Sequence, residues 1–321
     1  MEREILNLIN NSSNILIITH INPDGDTLGC ASALKSFIGE KADILIQIED
    51  NFNFPSTYSF LPYLNKALNL SDLKDKKNKY DLIITPDVAS IDRITGFARE
   101  IFDACKNTIT IDHHKTNKGY AKINYIKGGI SSTGEVLFDL FTNLNIEITK
   151  EMALGLYAAI LTDTGCFKYE STMPHTFEIA AKLSKIGIDT SKIADLCYTN
   201  KPKKMILFQS ELINNAKFCL NDKIAYTLIT KEIIEKYNAK DEYSEGVCEI
   251  LRSIANVEIA FVLKETKSGA KASIRTKELD ATLIANKFNG GGHKRAAGCT
   301  IKENINCACE KILSEIKSLI D

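Results

Sequence analysis

Four short runs of mostly β-branched residues constrain this chain more than any other feature. ILIIT (15–19), ILIQI (44–48), LIIT (82–85) and TITI (108–111) alternate with longer stretches of helical periodicity such as Thr27–Ile38. Continuous apolar runs of this length read as strands buried on both faces, and their alternation with helices reads as βαβ units around a parallel sheet. The sequence therefore predicts an α/β N-terminal domain over about residues 1–189. In it Thr149 caps a helix KEMALGLYAAIL, and a further helix covers about Phe177–Ile186. Lys74–Lys79 (KDKKNK) reads as a solvated loop before the third strand. Residues 190–218 read as a helical connector broken at Pro202. A second, smaller α/β domain follows over 219–321. Its expected strands are Lys223–Thr230, Val257–Lys264 and Ala270–Thr276, and its expected helices Tyr243–Ala255, Asp280–Phe288 and Ile305–Ile320.

Two domains suit 321 residues, and 44% hydrophobic with 25% charged residues excludes wholesale disorder. Lys+Arg 40 against Asp+Glu 41 leaves a formal charge of −1, too balanced for coating nucleic acid or a membrane surface. A polyanionic substrate must then be small and held by local groups, with no long nucleic-acid-binding surface. The opening MEREILNLINNSSN lacks the apolar core of a signal peptide. Apolar runs such as Ile15–Ile18 and Ala158–Leu161 fall far short of the ~18 residues of a membrane span. The nine cysteines are odd in number, irregular in spacing and without a CxxC pair, which fits reduced thiols in a cytoplasm and argues against a disulfide framework or zinc ribbon.

The chemistry lies at the ends of these elements. His20-Ile-Asn-Pro-Asp24-Gly-Asp26 directly follows the first run, where a turn built on Pro23 and Gly25 lets one imidazole and two carboxylates converge. Asp87 follows the third run through Thr85-Pro86, Asp112-His113-His114 follows the fourth, and Asp163 closes the helix KEMALGLYAAILT. Open parallel sheets bind ligands beyond the carboxyl ends of their strands, so three strands and a helix end deliver these groups to one edge. Any one of them alone reads equally well as a surface or capping residue; together, each at an element's end, they point to one site. Five carboxylates cannot gather unpaired, and divalent cations resolve the conflict. Asp/His ligation without cysteine suits Mn²⁺ and, less well, Mg²⁺. Further on, Gly290-Gly291-Gly292-His293-Lys-Arg-Ala-Ala-Gly298-Cys299 permits close backbone approach and an anion nest. Arg275 at the end of KASIRT offers a bidentate guanidinium, or alternatively an ordinary cross-strand ion pair.

These motifs, in order and setting, resemble those of the DHH phosphoesterase superfamily, and the glycine-rich segment resembles the phosphate-binding loop of its DHHA1 domain. The resemblance spans essentially the whole chain. It is closest to the stand-alone oligoribonucleases that also dephosphorylate 3′-phosphoadenosine-5′-phosphate (PAP). It implies two divalent ions, most readily Mn²⁺, that share Asp87. One is held by His20, Asp24 and Asp87, and the other by Asp26, Asp87, His113 and Asp163. It further implies that Asp112 orients a histidine, that His114 faces the substrate phosphate, and that Arg275, Gly291, Gly292 and His293 grip a nucleotide phosphate. The implied reaction is hydrolysis of short oligoribonucleotides to mononucleotides and of PAP to AMP, by two metals ~3.5–4 Å apart that activate water. The N-terminal domain would hold the scissile phosphate and the C-terminal one a second phosphate, which favours short substrates. A phosphodiesterase for cyclic di-AMP or pApA is the alternative. Family II pyrophosphatases carry an SRK-type segment that Ser273-Ile274-Arg275-Thr276 does not match. RecJ exonucleases are longer, and a silent nucleotide sensor would lack metal positions that are intact here. A homodimer is common among the enzymes the chain resembles.

Overall fold

The computed structural model describes residues 1–48, 56–73, 79–199 and 201–320, so residues 74–78 of the KDKKNK run lie outside the described residues. The chain divides into two compact units, Met1–Asn200 and Lys201–Asp321. The first is built on strands β1 (Ile15–Ile18), β2 (Ala42–Leu45), β3 (Leu82–Pro86), β4 (Thr108–Asp112) and β5 (Ile123–Ile126), all parallel, in the order β2-β1-β3-β4-β5. Its helices are α1 (Glu2–Asn11), α2 (Gly25–Ile38), α3 (Gly96–Ala104), α4 (Thr133–Asn143), α5 (Lys150–Asp163), α6 (Pro174–Lys185) and α7 (Thr190–Ala194). Alternate strand residues face opposite layers. Ile15, Ile17, Ile84 and Ile109 join the core formed with α2, α4 and α5, whereas Leu16, Ile18 and Ile83 pack with Ala98, Ile101 and Phe102 of α3. Each fully buried isoleucine contributes about 1.5–3 kcal/mol of hydrophobic stabilisation.

Two strands differ from expectation for identifiable reasons. The second run enters the sheet at Ala42 and leaves it after Leu45, where the Ile46 amide donates to the Leu68 carbonyl and the backbone carbonyl of the fully buried Gln47 accepts from Asn22 N. Its side-chain amide donates to the Thr19 carbonyl and its Oε1 accepts from Thr95 N. The fifth strand, INYI, is an edge strand buried on one face only, and it lacks the continuous apolar signal of the other four.

Helices α2 and α5 run antiparallel in close backbone contact. A Cβ on Gly29 would fall 2.4 Å from Gly155 O, one on Gly155 would fall 2.6 Å from Gly29 O, and one on Gly25 would fall on the Thr162 side chain. Gly25 is therefore the first residue of α2, pressed against the end of α5, and not the pivot of a turn. The seam sets the start of α2, with Asp24 and Asp26, beside the end of α5, with Asp163.

The second unit comprises α8 (Lys203–Asn214), β6 (Lys217–Cys219), β7 (Ile224–Ile229), α9 (Lys231–Tyr237), α10 (Val247–Ser253), β8 (Ile259–Thr266), β9 (Gly269–Thr276), α11 (Ala281–Asn286), β10 (Gly291–His293), β11 (Ala296–Ile301) and α12 (Ile305–Ile320). Its sheet runs β10-β11-β9-β8-β7-β6, antiparallel except for the parallel pair β7-β8. Helices α11 and α12 cover one face, and α8, α9 and α10 cover the other. Residues 190–218 divide between the units: α7 belongs to the first, whereas Met205, Phe208 and Leu212 of α8 enter the core of the second. Among the described residues no helix is long and apolar enough to cross a membrane.

Candidate active site

In an order of β2-β1-β3-β4-β5 the chain reverses direction across the sheet between β1 and β3, and their carboxyl ends open the crevice where such sheets bind ligands. His20 lies just past β1, Asp87 just past β3, and Asp112 closes β4. Asp24 caps α2, its carboxylate accepting from Asp26 N (3.1 Å) and Thr27 N (3.2 Å). Asp87 leaves β3 in a left-handed conformation (φ 60°), which an aspartate tolerates better than most residues.

Two groups of donors converge. His20 Nε2 lies 3.6 Å from an Asp24 oxygen and 3.8 Å from Asp87 Oδ2. His113 Nε2 lies 3.5 Å from Asp163 Oδ2, 3.6 Å from Asp87 Oδ1 and 3.9 Å from Asp26 Oδ2. Asp87 thus presents one oxygen to each imidazole. Ligands bonded at about 2.1 Å to a common cation stand roughly 3–4 Å apart, so these spacings fit cation ligation and are too long for good hydrogen bonds. The sets His20–Asp24–Asp87 and Asp26–His113–Asp163 each bring their donor atoms within 4.8 Å of one another, as do Asp87, His113 and His114. His113 Nδ1 faces the Ile130 carbonyl at 3.0 Å, a contact that turns Nε2 towards the carboxylates.

The electrostatics call for a cation. Burial, then the charges of Asp26, Asp24, Asp163 and Asp112, push Asp87 well above the usual carboxylate range. Asp163 is displaced the same way by burial and Asp26. Burial disfavours a charged His113, yet Asp26 and Asp163 hold its proton more tightly than usual. A divalent ion relieves all of these at once, and the donor set of carboxylate oxygens and imidazole nitrogens suits one.

Asp112, fully buried, holds His114 Nδ1 at 2.7 Å through Oδ1 and accepts from Asn117 through Oδ2. The histidine it orients is therefore His114, and not His113.

Two further groups belong to this site. The N-terminus of α4 grips Asp26: Thr133 N donates to Oδ2 at 2.7 Å and Gly134 N to Oδ1 at 3.0 Å, while the Thr133 hydroxyl donates to Asp87 Oδ1 at 3.0 Å. A helix N-terminus favours a carboxylate electrostatically. Glu135 anchors this turn, being buried and accepting from Ser131 and Thr176. The local signal is legible in Ser132-x-x-Glu135, a capping pattern, and Ser132 does accept from Glu135 N. Arg93, on the turn after β3, places Nη2 2.8 Å from His20 Nδ1 and carries no local sequence signal.

In the second unit, Arg275, Ala296 and His293 occupy one register row across β9, β11 and β10. Neighbouring strands are about 4.8 Å apart, so Arg275 and His293 stand roughly 10 Å apart along the backbone. The side chain of His293 lies outside the described part of the structure. Arg275 donates Nε to Glu249 at 2.7 Å and Nη1 to the Ile274 carbonyl, so it does form an ion pair, but with Glu249 of helix α10 and not the cross-strand pair weighed from the sequence. The three glycines do not form a nest. Gly291 and Gly292 pair with Gly298 and Ala297 as an edge strand, and a Cβ on Gly292 would fall 2.4 Å from Ala296 O.

A parallel sheet whose carboxyl edge gathers histidines and aspartates, followed in the chain by a sheet with a glycine-rich edge hairpin, is the architecture of a phosphoesterase with a candidate metal centre. Residues 14–160 match the DHH family N-terminal domain and residues 221–320 match the DHHA1 domain; the chain belongs to the DHH/DHHA1 family of phosphoesterases. It is 28% identical, over 94% of its own length and 89% of the relative's, to a Thermus thermophilus protein named bifunctional oligoribonuclease and PAP phosphatase NrnA. It is 27% identical, over 99% and 98%, to the probable enzyme of that name from Streptococcus mutans. Among solved structures, an exopolyphosphatase-related protein from Bacteroides fragilis superposes with a TM-score of 0.91 at 25% identity, over 99% of this chain and 95% of that one.

Proposed function

We propose that this chain is a manganese-dependent hydrolase that releases mononucleotides from very short RNAs and converts PAP to AMP. The observation that carries the reading is Asp87, whose two carboxylate oxygens face two different histidines, each with its own aspartates. His20, Asp24 and Asp87 would hold one ion, and Asp26, Asp87, His113 and Asp163 the other. Bound there, divalent ions supply charge neutralisation for a phosphoryl group and a nucleophilic hydroxide at neutral pH. The protein's own groups do the rest. Thr133 and the first amides of α4 fix the Asp26 and Asp87 carboxyl groups in place, and Asp112 holds the His114 ring in one orientation towards the substrate phosphate. The relatives named for oligoribonuclease and PAP phosphatase activity support the choice of substrate. In this reading the unit 201–321 binds a second phosphate through Arg275, the Gly291-Gly292 hairpin and His293, which keeps substrates short.

The test is a panel of PAP, pApA, a 5-mer RNA, cyclic di-AMP and pyrophosphate after EDTA treatment and dialysis. Mn²⁺ is expected to restore hydrolysis of the first three far better than Ca²⁺, because a compact Asp/His site suits the smaller ion and Ca²⁺ prefers six to eight oxygens. Full activity in EDTA, or cleavage of pyrophosphate alone, would overturn the reading.

Arg275→Ala is expected to lower kcat/KM for PAP and pApA about 10–150-fold, the range of one lost charge-assisted hydrogen bond at roughly 1.5–3 kcal/mol. The loss should fall mainly in KM, while bis-p-nitrophenyl phosphate, which has no second phosphate, is cut as before. Equal losses on both substrates would mean that Arg275, through Glu249, supports the fold only.

A further inference from the structure

A cavity of about 820 Å³ opens in the second unit where β11 runs on past the start of β10. Every charged side chain that lines it is a lysine: Lys271 of β9, Lys287 just past α11 and Lys302 just past β11. Lys287 lies 3.7 Å from Glu315 of α12, whereas Lys271 and Lys302 make no ion pair among the described residues. Lys271 has instead a second lysine, Lys264, directly opposite it on β8, and Lys264 is itself paired with Asp241. Like charges side by side destabilise a sheet, and an anion bound between Lys271 and Lys302 offsets that cost.

The backbone adds a donor. Thr276 N donates to Arg295 O, which makes the odd-numbered residues of β11 the ones bonded to β9. The even-numbered ones turn their amides towards β10, which begins opposite Gly298, so no strand faces the Thr300 amide. Thr300 stands directly opposite Lys271 and lines the same cavity. On the other wall, Gly291 has no left-handed backbone, and a Cβ there would meet no atom within 4 Å. A strand glycine without a packing reason costs stability and leaves room for the close approach of a ligand. Two ammonium groups, a backbone amide and a bare glycine wall suit a phosphate. Lys271 and Arg275 share one face of β9, four residues or about 13 Å apart, because Ala270, Ala272 and Ile274 point to the other face, into the core with α11 and α12.

Resting on the reading above, in which the acidic centre takes one phosphate and Arg275 a second, we propose that Lys271, Lys302 and Thr300 hold a further phosphate along an RNA chain. PAP has only two phosphates, so the cavity serves oligoribonucleotides alone and separates the two activities. The test measures kcat/KM for a 5-mer RNA and for PAP in Mn²⁺. It adds the affinity for the 5-mer at several salt concentrations with Ca²⁺ in place of Mn²⁺, which the reading expects to support little hydrolysis. Wild type, the double variant Lys271→Ala/Lys302→Ala and Lys271→Arg are compared. The double variant should lose at least about tenfold on the 5-mer and leave PAP unchanged. Its salt slope should be shallower by about 0.7, the value of one phosphate contact on a single strand. Lys271→Arg keeps the charge and should keep the wild-type slope. Equal losses on both substrates would assign the lysines to support of the hairpin and overturn the site. An unchanged affinity and slope for the 5-mer would overturn it too, and would leave the hydrolase reading standing. A second AMP bound calorimetrically to wild type but not to the double variant, with the 5-mer unaffected, would replace it with a site for free nucleotides. Failure of wild type to cut RNA, with the lysine-dependent slope intact, would instead sink the hydrolase reading and keep the site.

Discussion

Asp87→Asn is expected to reduce hydrolysis of every substrate to below about a thousandth of wild type, while the metal-free protein becomes more stable. Asparagine keeps the left-handed backbone and the hydroxyl contact from Thr133 but removes the charge that faces both His20 and His113. Losing one preorganised electrostatic group typically costs 10²–10³, and here the same group serves both donor sets. Stability moves the other way because Asp87, buried among Asp26, Asp24 and Asp163, holds its proton far above the usual carboxylate range. The folded metal-free protein then binds protons that the unfolded chain has released, so its stability falls as pH rises beyond the ordinary carboxylate range. The asparagine variant lacks that penalty, and its advantage should shrink as the pH is lowered. Thermal melts in EDTA at several pH values, with hydrolysis assays in Mn²⁺, check both halves. Activity above a tenth of wild type would remove Asp87 from its shared role. A melting point in EDTA below that of wild type at pH 8 would mean that the carboxylate cluster carries no repulsive strain.

Gly155→Leu is expected to destabilise the first unit by at least about 3 kcal/mol and to lower its melting temperature by roughly 10 °C. A Cβ there would meet Gly29 O at 2.6 Å and Ala33 N at 3.0 Å, both backbone atoms that cannot rotate away. The better helix propensity of leucine recovers only about 1 kcal/mol, so the clash wins. Since the seam sets Asp26 beside Asp163, hydrolysis of bis-p-nitrophenyl phosphate should fall together with stability, although residue 155 touches none of the donors. Circular dichroism melts and that assay on the intact chain decide the matter. A melting point within about 2 °C of wild type would show that α2 and α5 separate without cost.

Most of the site can be read from the sequence because its chemistry sits at element boundaries, where short motifs carry their own context. His20, Asp24, Asp26, Asp87, Asp112, His113, His114 and Asp163 all follow strands or end helices, and the structure brings them together in one unit. The closing helix runs Ile305–Ile320 as its periodicity predicts, because an amphipathic pattern of that length is a local property. INYI and the glycine hairpin are less legible. An edge strand buried on one face, and a strand made of glycines, carry little apolar signal of their own.

Residue types and order by themselves determined the alternating α/β architecture, the two-domain layout, and the cluster of acids and imidazoles at the carboxyl edge of the first sheet. Only the tertiary structure decided which group serves which. It assigned Asp112 to His114, set the amides of α4 on Asp26, placed Arg93 behind His20, and paired Arg275 with Glu249. Apart from Asp112 and His114, which are two residues apart, these partners lie between 26 and 108 residues apart, so no local periodicity or spacing encodes them. The same holds for the Gly29–Gly155 seam and for Tyr169 lying on Gly165. A glycine in a sequence does not say what will be pressed against it; only the packing of a second element supplies the atom that makes a side chain impossible there.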